Sequence, residues 1–248
     1  KPVFENAEAF TGTGMVPGTP TEALRNIDCS RYLNTYKGWE PLTLHNNVVC
    51  AVSISGAPKR PTEAVKRFQE EGAQSIAFTT NPNSELAKNA AFVVPMTLPP
   101  CDHAPNVTSY YSSLFSLMMF GFYMSMVKGQ ITREQANACR MGLLQYANSY
   151  SGKVLDELSE KAFKLAQQWE ADGVDKMDFV GDGADYATAF FGSAKMVEAF
   201  GGLSTNDDSE DWSHINYFLK DTDHIGTFFV ANTRSPSFDR LQDSIRVA

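Results

Sequence analysis

The sequence predicts an α/β fold built on parallel sheets, and three observations carry that prediction. Short apolar runs of strand length alternate with helical stretches through the first hundred residues, as repeated βα units require. One run, VVCAVS at 48–53, is apolar almost throughout, as a strand covered on both faces must be. The alternation stops near residue 105, yields to a long helical region, and restarts at Met177. That restart predicts a second copy of the same architecture.

The elements follow in order. A strand at 7–11 runs into Gly12-Thr13-Gly14, a second strand is predicted at 27–33, and a third at 48–53 ends in Ser53-Ile54-Ser55-Gly56. PTEAVKRFQEE at 61–71 is an amphipathic helix with Pro at its start and Gly72 as its stop. A strand at 75–79, a short helix at 84–89 and a strand at 92–95 complete a five-stranded parallel sheet. Pro99, Pro100 and Pro105 then punctuate the chain. From 108 to 169 the pattern is helical, with Leu114, Leu117, Met118 and Phe122 at helix spacing. The stripe of Met118, Met119, Met124 and Met126 is expected in a core or a subunit interface.

The second set reads as a strand at 177–180, a Gly181-x-Gly183 turn, and a helix to Phe200 carrying Lys195 and Glu198. A short strand near Leu203, a helix around Trp212, a strand at 225–230 and a helix at 238–246 follow. Two or three parallel strands leave apolar edges unpaired, so further chain beyond Ala248 is expected. The predicted organisation is a first domain at 1–105, linking helices at 106–172 and a partial second domain at 173–248.

Bulk properties exclude several classes. Of 248 residues, 43% are apolar, enough for a core. The net charge is −8, from 29 acidic against 21 basic residues, which leaves no basic stripe for nucleic acid. Cys29, Cys50, Cys101 and Cys139 are scattered without a metal-ligand or disulfide pattern, as expected of thiols in a reducing cytoplasm. The most apolar run, 114–127, is too short to cross a membrane, and no signal-peptide pattern is present. A cytoplasmic protein without metal or cofactor is the expectation.

Chemistry concentrates at two places. Ser53-Ile54-Ser55-Gly56 follows a central strand and precedes a helix, the position where open α/β sheets bind ligands. Its hydroxyls and amides suit a phosphate, although an ordinary Ser/Gly-rich turn fits equally well. The second place is 177–218. Its Gly181-x-Gly183 turn brings backbone amides to a helix N-terminus, and Glu198 and His214 are residue types that move protons near neutral pH. Lys195 and Glu198 lie three apart on one helix face, where a surface ion pair is the ordinary alternative. Ala194, Met196 and Val197 around them predict a mostly buried helix. His214 could equally be a satisfied structural histidine, Asp207 to Asp211 a solvated face, and His45, His103 and His224 are incidental.

Together these segments resemble the tandem sugar isomerase (SIS) domain family. VSISGAPKRPTEAVKRFQEEGAQSIAFTTNPNSELAKNAAFVVPM is similar to the family's first-domain phosphate loop, its helix and the following Thr-Asn segment. VTSYYSSL is similar to its Ser/Thr segment before the linking helices, and GDGADYATAFFGSAKMVE with DWSHINYF to its second-domain Gly-x-Gly, Lys-x-x-Glu and downstream His. The resemblance implies three-layer αβα, flavodoxin-like domains in two copies. It implies that Ser53, Ser55 and Gly56 bind a sugar phosphate with Thr108 and Ser109 nearby, alongside Gly12, Gly14, Gly181, Gly183 and Lys195. Glu198 would take the proton beside the carbonyl and His214 would assist ring opening. It further implies a homodimer or dimer of dimers with sites shared between subunits. The chain departs from the pattern at Pro58, at Met15-Val16 and at Ile215-Asn216. Two functions follow as expectations: an isomerase or deglycase working through an enediol or enaminol, or a sugar-phosphate sensor without chemistry.

Overall fold

The computed structural model describes residues 9–11, 48–99 and 107–248 of the chain. Two compact units are present, one of residues 1–102 with 106–146 and one of residues 103–105 with 147–248. Each holds a parallel sheet.

The first unit contains β1 (Ala9–Thr11), β2 (Val48–Val52), α1 (Lys59–Glu70), β3 (Gln74–Thr79), α2 (Glu85–Asn89) and β4 (Phe92–Pro95). The strands pair in the order β1-β2-β3-β4, all parallel. Four strands are therefore present among the described residues, where five were expected; the strand expected at 27–33 lies outside them. Strand periodicity divides the core in two. Val49, Ala51 and Ala77 face Val65 and Phe68 of α1 and Leu86 of α2. Cys50, Val52 and Phe78 face the other way, onto Met96 and the Leu117 and Phe120 side chains of α3 (Val107–Val127). Phe78 and Phe120 meet edge-on at 5.5 Å.

Helix α1 starts at Lys59, two residues before the predicted Pro61, and Gly72 stops it at φ +93°. The predicted single helical region is three helices: α3, α4 (Arg133–Ser149) and α5 (Lys153–Asp172). Met118 and Met119 are exposed on α3, so the methionine stripe is not core within one chain. Its inward face carries Leu117 and Phe120 instead.

The second unit places β5 (Lys176–Gly181) between β6 (Leu203–Asp207) and β7 (Ile225–Val230), again parallel. Helix α6 (Ala184–Phe200) joins β5 to β6, and α7 (Ser209–Ile215) and α8 (Phe238–Val247) complete the unit. On one face Phe179 stacks on Phe228 at 4.7 Å, and Trp169 of α5 meets Phe228 at 4.9 Å. On the other face Val180 packs with Trp212 of α7, Leu241 of α8 and Phe229. No described helix is long and apolar enough to cross a membrane.

Candidate phosphate loop and acid/base residues

The Ser53–Gly56 loop is held in one shape by its neighbours. Ser53 is buried; its amide donates to the Phe78 carbonyl, and its Oγ accepts from the Gly56 amide at 3.1 Å. The Ile54 carbonyl accepts from Thr79 Oγ1 at 2.9 Å and from Thr80 Oγ1 at 2.8 Å. Gly56 sits at φ +63°, and a Cβ there would overlap Ser84 Oγ and Cβ. A residue with a side chain fits neither that backbone nor that space. Ser55 is exposed, and its Oγ accepts from the Ala57 amide at 3.3 Å.

What the loop feeds into matters as much as its shape. Helix α1 has no side-chain cap and no acidic residue in its first turn, and it opens with Lys59 and Arg60. Its N-terminal amides are therefore free to meet an anion, and the helix dipole favours one there. Thr62, 8% exposed, has an Oγ1 with no hydrogen-bond partner. A buried hydroxyl without a partner is destabilising unless something else satisfies it. By contrast, the start of α2 is filled by Ser84 Oγ, which accepts from the Ala87 amide.

The Gly181-x-Gly183 turn differs from this arrangement in its charge, although α6 after it likewise has no side-chain cap. Gly181 is needed because a Cβ would lie 2.6 Å from the Asp185 carbonyl oxygen, and Gly183 takes φ +58°. Asp182 between them turns its carboxylate onto α7, accepting from the Ser209 amide at 2.9 Å and from Ser209 Oγ at 2.8 Å. The turn's own side chain is thus an anion. Asp185 lies in the first turn of α6, and Asp208 caps α7 through the Glu210 and Asp211 amides. Desolvation, reinforced by Asp178, Asp211 and Asp208, raises the Asp207 carboxyl above its ordinary value. A phosphate placed here would meet like charge.

Glu198 occupies the last turns of α6. Its carboxylate pairs with Lys195 Nζ at 2.5 Å, and side-chain exposures are 49% for Glu198 and 19% for Lys195. The Lys195 ammonium also lies 5.3 Å from the Phe191 ring centre. The expectation that this helix is mostly buried is corrected: α6 buries Ala189 and Ser193, and Glu198 remains half-exposed in an ion pair. His214, in the last turn of α7, is exposed and makes no hydrogen bond to Glu198. Thr108 and Ser109 lie half-buried in the first turn of α3, and the Ser109 carbonyl accepts from Ser113 Oγ at 2.9 Å. Gly12 and Gly14 lie outside the described residues, as do Cys29, Cys101, His45 and His103. Cys50 and Cys139 are free thiols, and His224 bonds Asp221 on the surface.

The sequence offers Thr62 only as a substitute, with Lys59 or Arg60, for the hydroxyl missing at Pro58, and that its own hydroxyl has no partner is visible only in the packed state. One group escaped the sequence reading. Asp178 is 3% exposed within β5, where it accepts hydrogen bonds from Thr205, Trp212 and Asn216. A charged residue inside MDFV was the available signal, since a buried carboxylate needs partners.

A parallel sheet whose central strand ends in a hydroxyl-and-amide loop defines the class: an open α/β fold, in which ligands are generally bound at the carboxyl ends of the strands. More particularly, residues 41–123 match the family model for the SIS domain. Among relatives, the glutamine–fructose-6-phosphate aminotransferase (isomerizing) of Symbiobacterium thermophilum is 28% identical over 163 residues, 66% of this chain and 26% of that protein. The N-acetylmuramic acid 6-phosphate etherase of Bacteroides fragilis is 29% identical over 139 residues, 54% of this chain and 48% of that protein. A structure of a candidate phosphosugar isomerase from Clostridium difficile 630 superposes with a TM-score of 0.67 at 18% identity, covering 86% of this chain and 59% of that one. The chain thus spans between about a quarter and a half of these curated relatives' length.

Proposed function

We propose that the protein binds a sugar 6-phosphate through the Ser53–Gly56 loop and the start of α1, and that Glu198 and His214 are its acid/base residues. The observation that carries the reading is the contrast between helix starts. Helices α1, α5, α6 and α8 all lack a side-chain cap, but of these α1 alone has no acidic residue in its first turn, and it opens with Lys59 and Arg60 beside the unpartnered Thr62 hydroxyl; α2 and α7 are filled by their own side chains. Three hydroxyls (Ser53, Ser55 and Thr62) and the α1 amides can satisfy a phosphate without a metal. Thr62 and the two cations also stand in for the hydroxyl that Pro58 lacks.

The reaction moves a proton between C1 and C2 of the open-chain sugar phosphate, the two carbons that form the enediol or enaminol. Glu198 removes the proton next to the carbonyl, and His214 moves protons among the sugar oxygens as the ring opens. Aldose–ketose isomerisation and cleavage of an amine from a fructosamine 6-phosphate share this step. The fold is taken as two SIS copies, the second partial in this chain, with domains at 1–105 and 173–248 joined by 106–172. The active species is a cytoplasmic homodimer or dimer of dimers. Exposed Val107, Leu114, Met118, Tyr123 and Val127 on α3 supply apolar surface for such an assembly.

A second reading, a sugar-phosphate sensor without chemistry, is favoured by the state of Glu198, which is half-exposed and tied to Lys195. Thermal-shift titration with hexose 6-phosphates and fructosamine 6-phosphates, followed by turnover on the hits, separates the two. Glu198→Gln should bind as the parent does and lose at least about a hundredfold in turnover. Wild-type turnover by that variant excludes Glu198 as the base, and stabilisation of the parent without turnover selects the sensor. If no phosphosugar stabilises the protein, the reading fails.

A further inference from the structure

We infer that Asp178 is a positioning residue: from the centre of the second sheet it fixes the segment that carries His214. The inference rests on the proposed role of His214. It begins with a mismatch between α7 and the demands placed on it. A helix of seven residues has almost no stability of its own, and α7 presents His214 and Ile215 outward, both exposed. Something outside the helix must set where its backbone lies.

Two carboxylates of the β5 region do so. Asp182, just past the strand, holds the first helical residue through the Ser209 amide and hydroxyl. Asp178, within the strand, holds the other end. Its Oδ2 accepts from Trp212 Nε1 and, at 2.7 Å, from Asn216 Nδ2, while Oδ1 accepts from Thr205 Oγ1 at 2.8 Å. Trp212 and Asn216 each lie two residues from His214, one on either side. The three donors are neutral and leave a carboxylate's acceptor positions engaged from β6, from α7 and from the turn beyond it. Buried networks of this kind are stiff, because each member loses a partner if any one moves.

The tether also gives the departure at His214-Ile215-Asn216 a physical role. Asn216 supplies the side-chain amide that ties the turn to β5. The residues after the histidine thus include a means of holding it.

The test uses the full chain and Asp178→Asn, which keeps shape and removes one acceptor facing two donors. Hydrogen exchange read by mass spectrometry, without any ligand, should show residues 212–218 exchanging at least about tenfold faster, with β5 and β7 unchanged. Exchange like the parent's in that segment overturns the inference whatever the protein turns out to bind. On a phosphosugar that the parent turns over, Asp178→Asn should lower kcat about tenfold or more and leave KM within about twofold. The double variant Asp178→Asn with His214→Ala should be no slower than His214→Ala alone; a further loss overturns the inference. Phe228→Leu, on the opposite face of the sheet, controls for general loosening. If it lowers kcat as much as Asp178→Asn does, Asp178 has no specific role. A parent that binds phosphosugars but turns none over ends the enzymatic reading, and the exchange data then decide Asp178 alone.

Discussion

Replacing Gly56 by Ala tests whether the loop's shape is as constrained as its contacts indicate. Two effects add. At φ +63° an L-residue is disfavoured by roughly 1–2 kcal/mol. The new methyl would also overlap Ser84, whose Oγ caps α2 by accepting from the Ala87 amide. Moving Ser84 aside forfeits that cap, worth about 1 kcal/mol. The expected destabilisation is therefore about 2–3 kcal/mol. Gly129 gives an internal control in the same unit: it has φ +69°, and a methyl added there would meet nothing within 4 Å. Gly129→Ala should therefore lose only the backbone part, about 1 kcal/mol. Urea denaturation followed by circular dichroism measures both. Equal losses in the two variants would refute the steric half of the reasoning, and a loss below about 0.5 kcal/mol for Gly56→Ala would refute the whole of it.

Other expectations follow from single groups. Thr62→Val removes a buried hydroxyl that has no partner, so the free protein should be unchanged or more stable by about 1 kcal/mol, while stabilisation by a sugar 6-phosphate should shrink; a clear destabilisation of the free protein would contradict this. Burial pushes the Cys50 thiol up to about 11 from 9.0. The folded state thus resists forming the thiolate, and the contribution of this residue is complete below pH 9.0 and lost as pH rises towards about 11. Denaturation midpoints of the parent and Cys50→Ala should converge across that range, and parallel curves would count against it. Asp207 is also raised, chiefly by desolvation and then by Asp178, Asp211 and Asp208. Its ionisation at neutral pH therefore opposes folding, and Asp207→Asn should raise the midpoint at about pH 7 but not at about pH 3; an equal gain at both would point to another cause.

Much of the architecture was legible because it depends on local pattern. VVCAVS announced a strand covered on both faces, and β2 is buried on both. The strand at 225–230 and the helix starting at Phe238 fall where apolar spacing placed them. Likewise, the Ser53-Ile54-Ser55-Gly56 turn lies between β2 and α1, where the end of the apolar run placed it. Where prediction and structure differ, the cause is non-local. Helix α6 was expected to be mostly buried because its sequence is apolar, yet only Ala189 and Ser193 of it are buried.

By itself the sequence determined most strand and helix identities and the parallel arrangement, because periodicity and residue type are properties of short segments. Tertiary structure decided where the side chains around two similar Gly-containing turns go. Both look alike in one dimension. In three, α1 begins uncapped beside two cations, whereas Asp182 turns its own carboxylate onto α7. It also decided that Asp178, Trp212 and Asn216 meet, a contact spanning a strand, a helix and a turn. Charge and hydrogen-bond satisfaction depend on neighbours distant in sequence, and no local pattern records them.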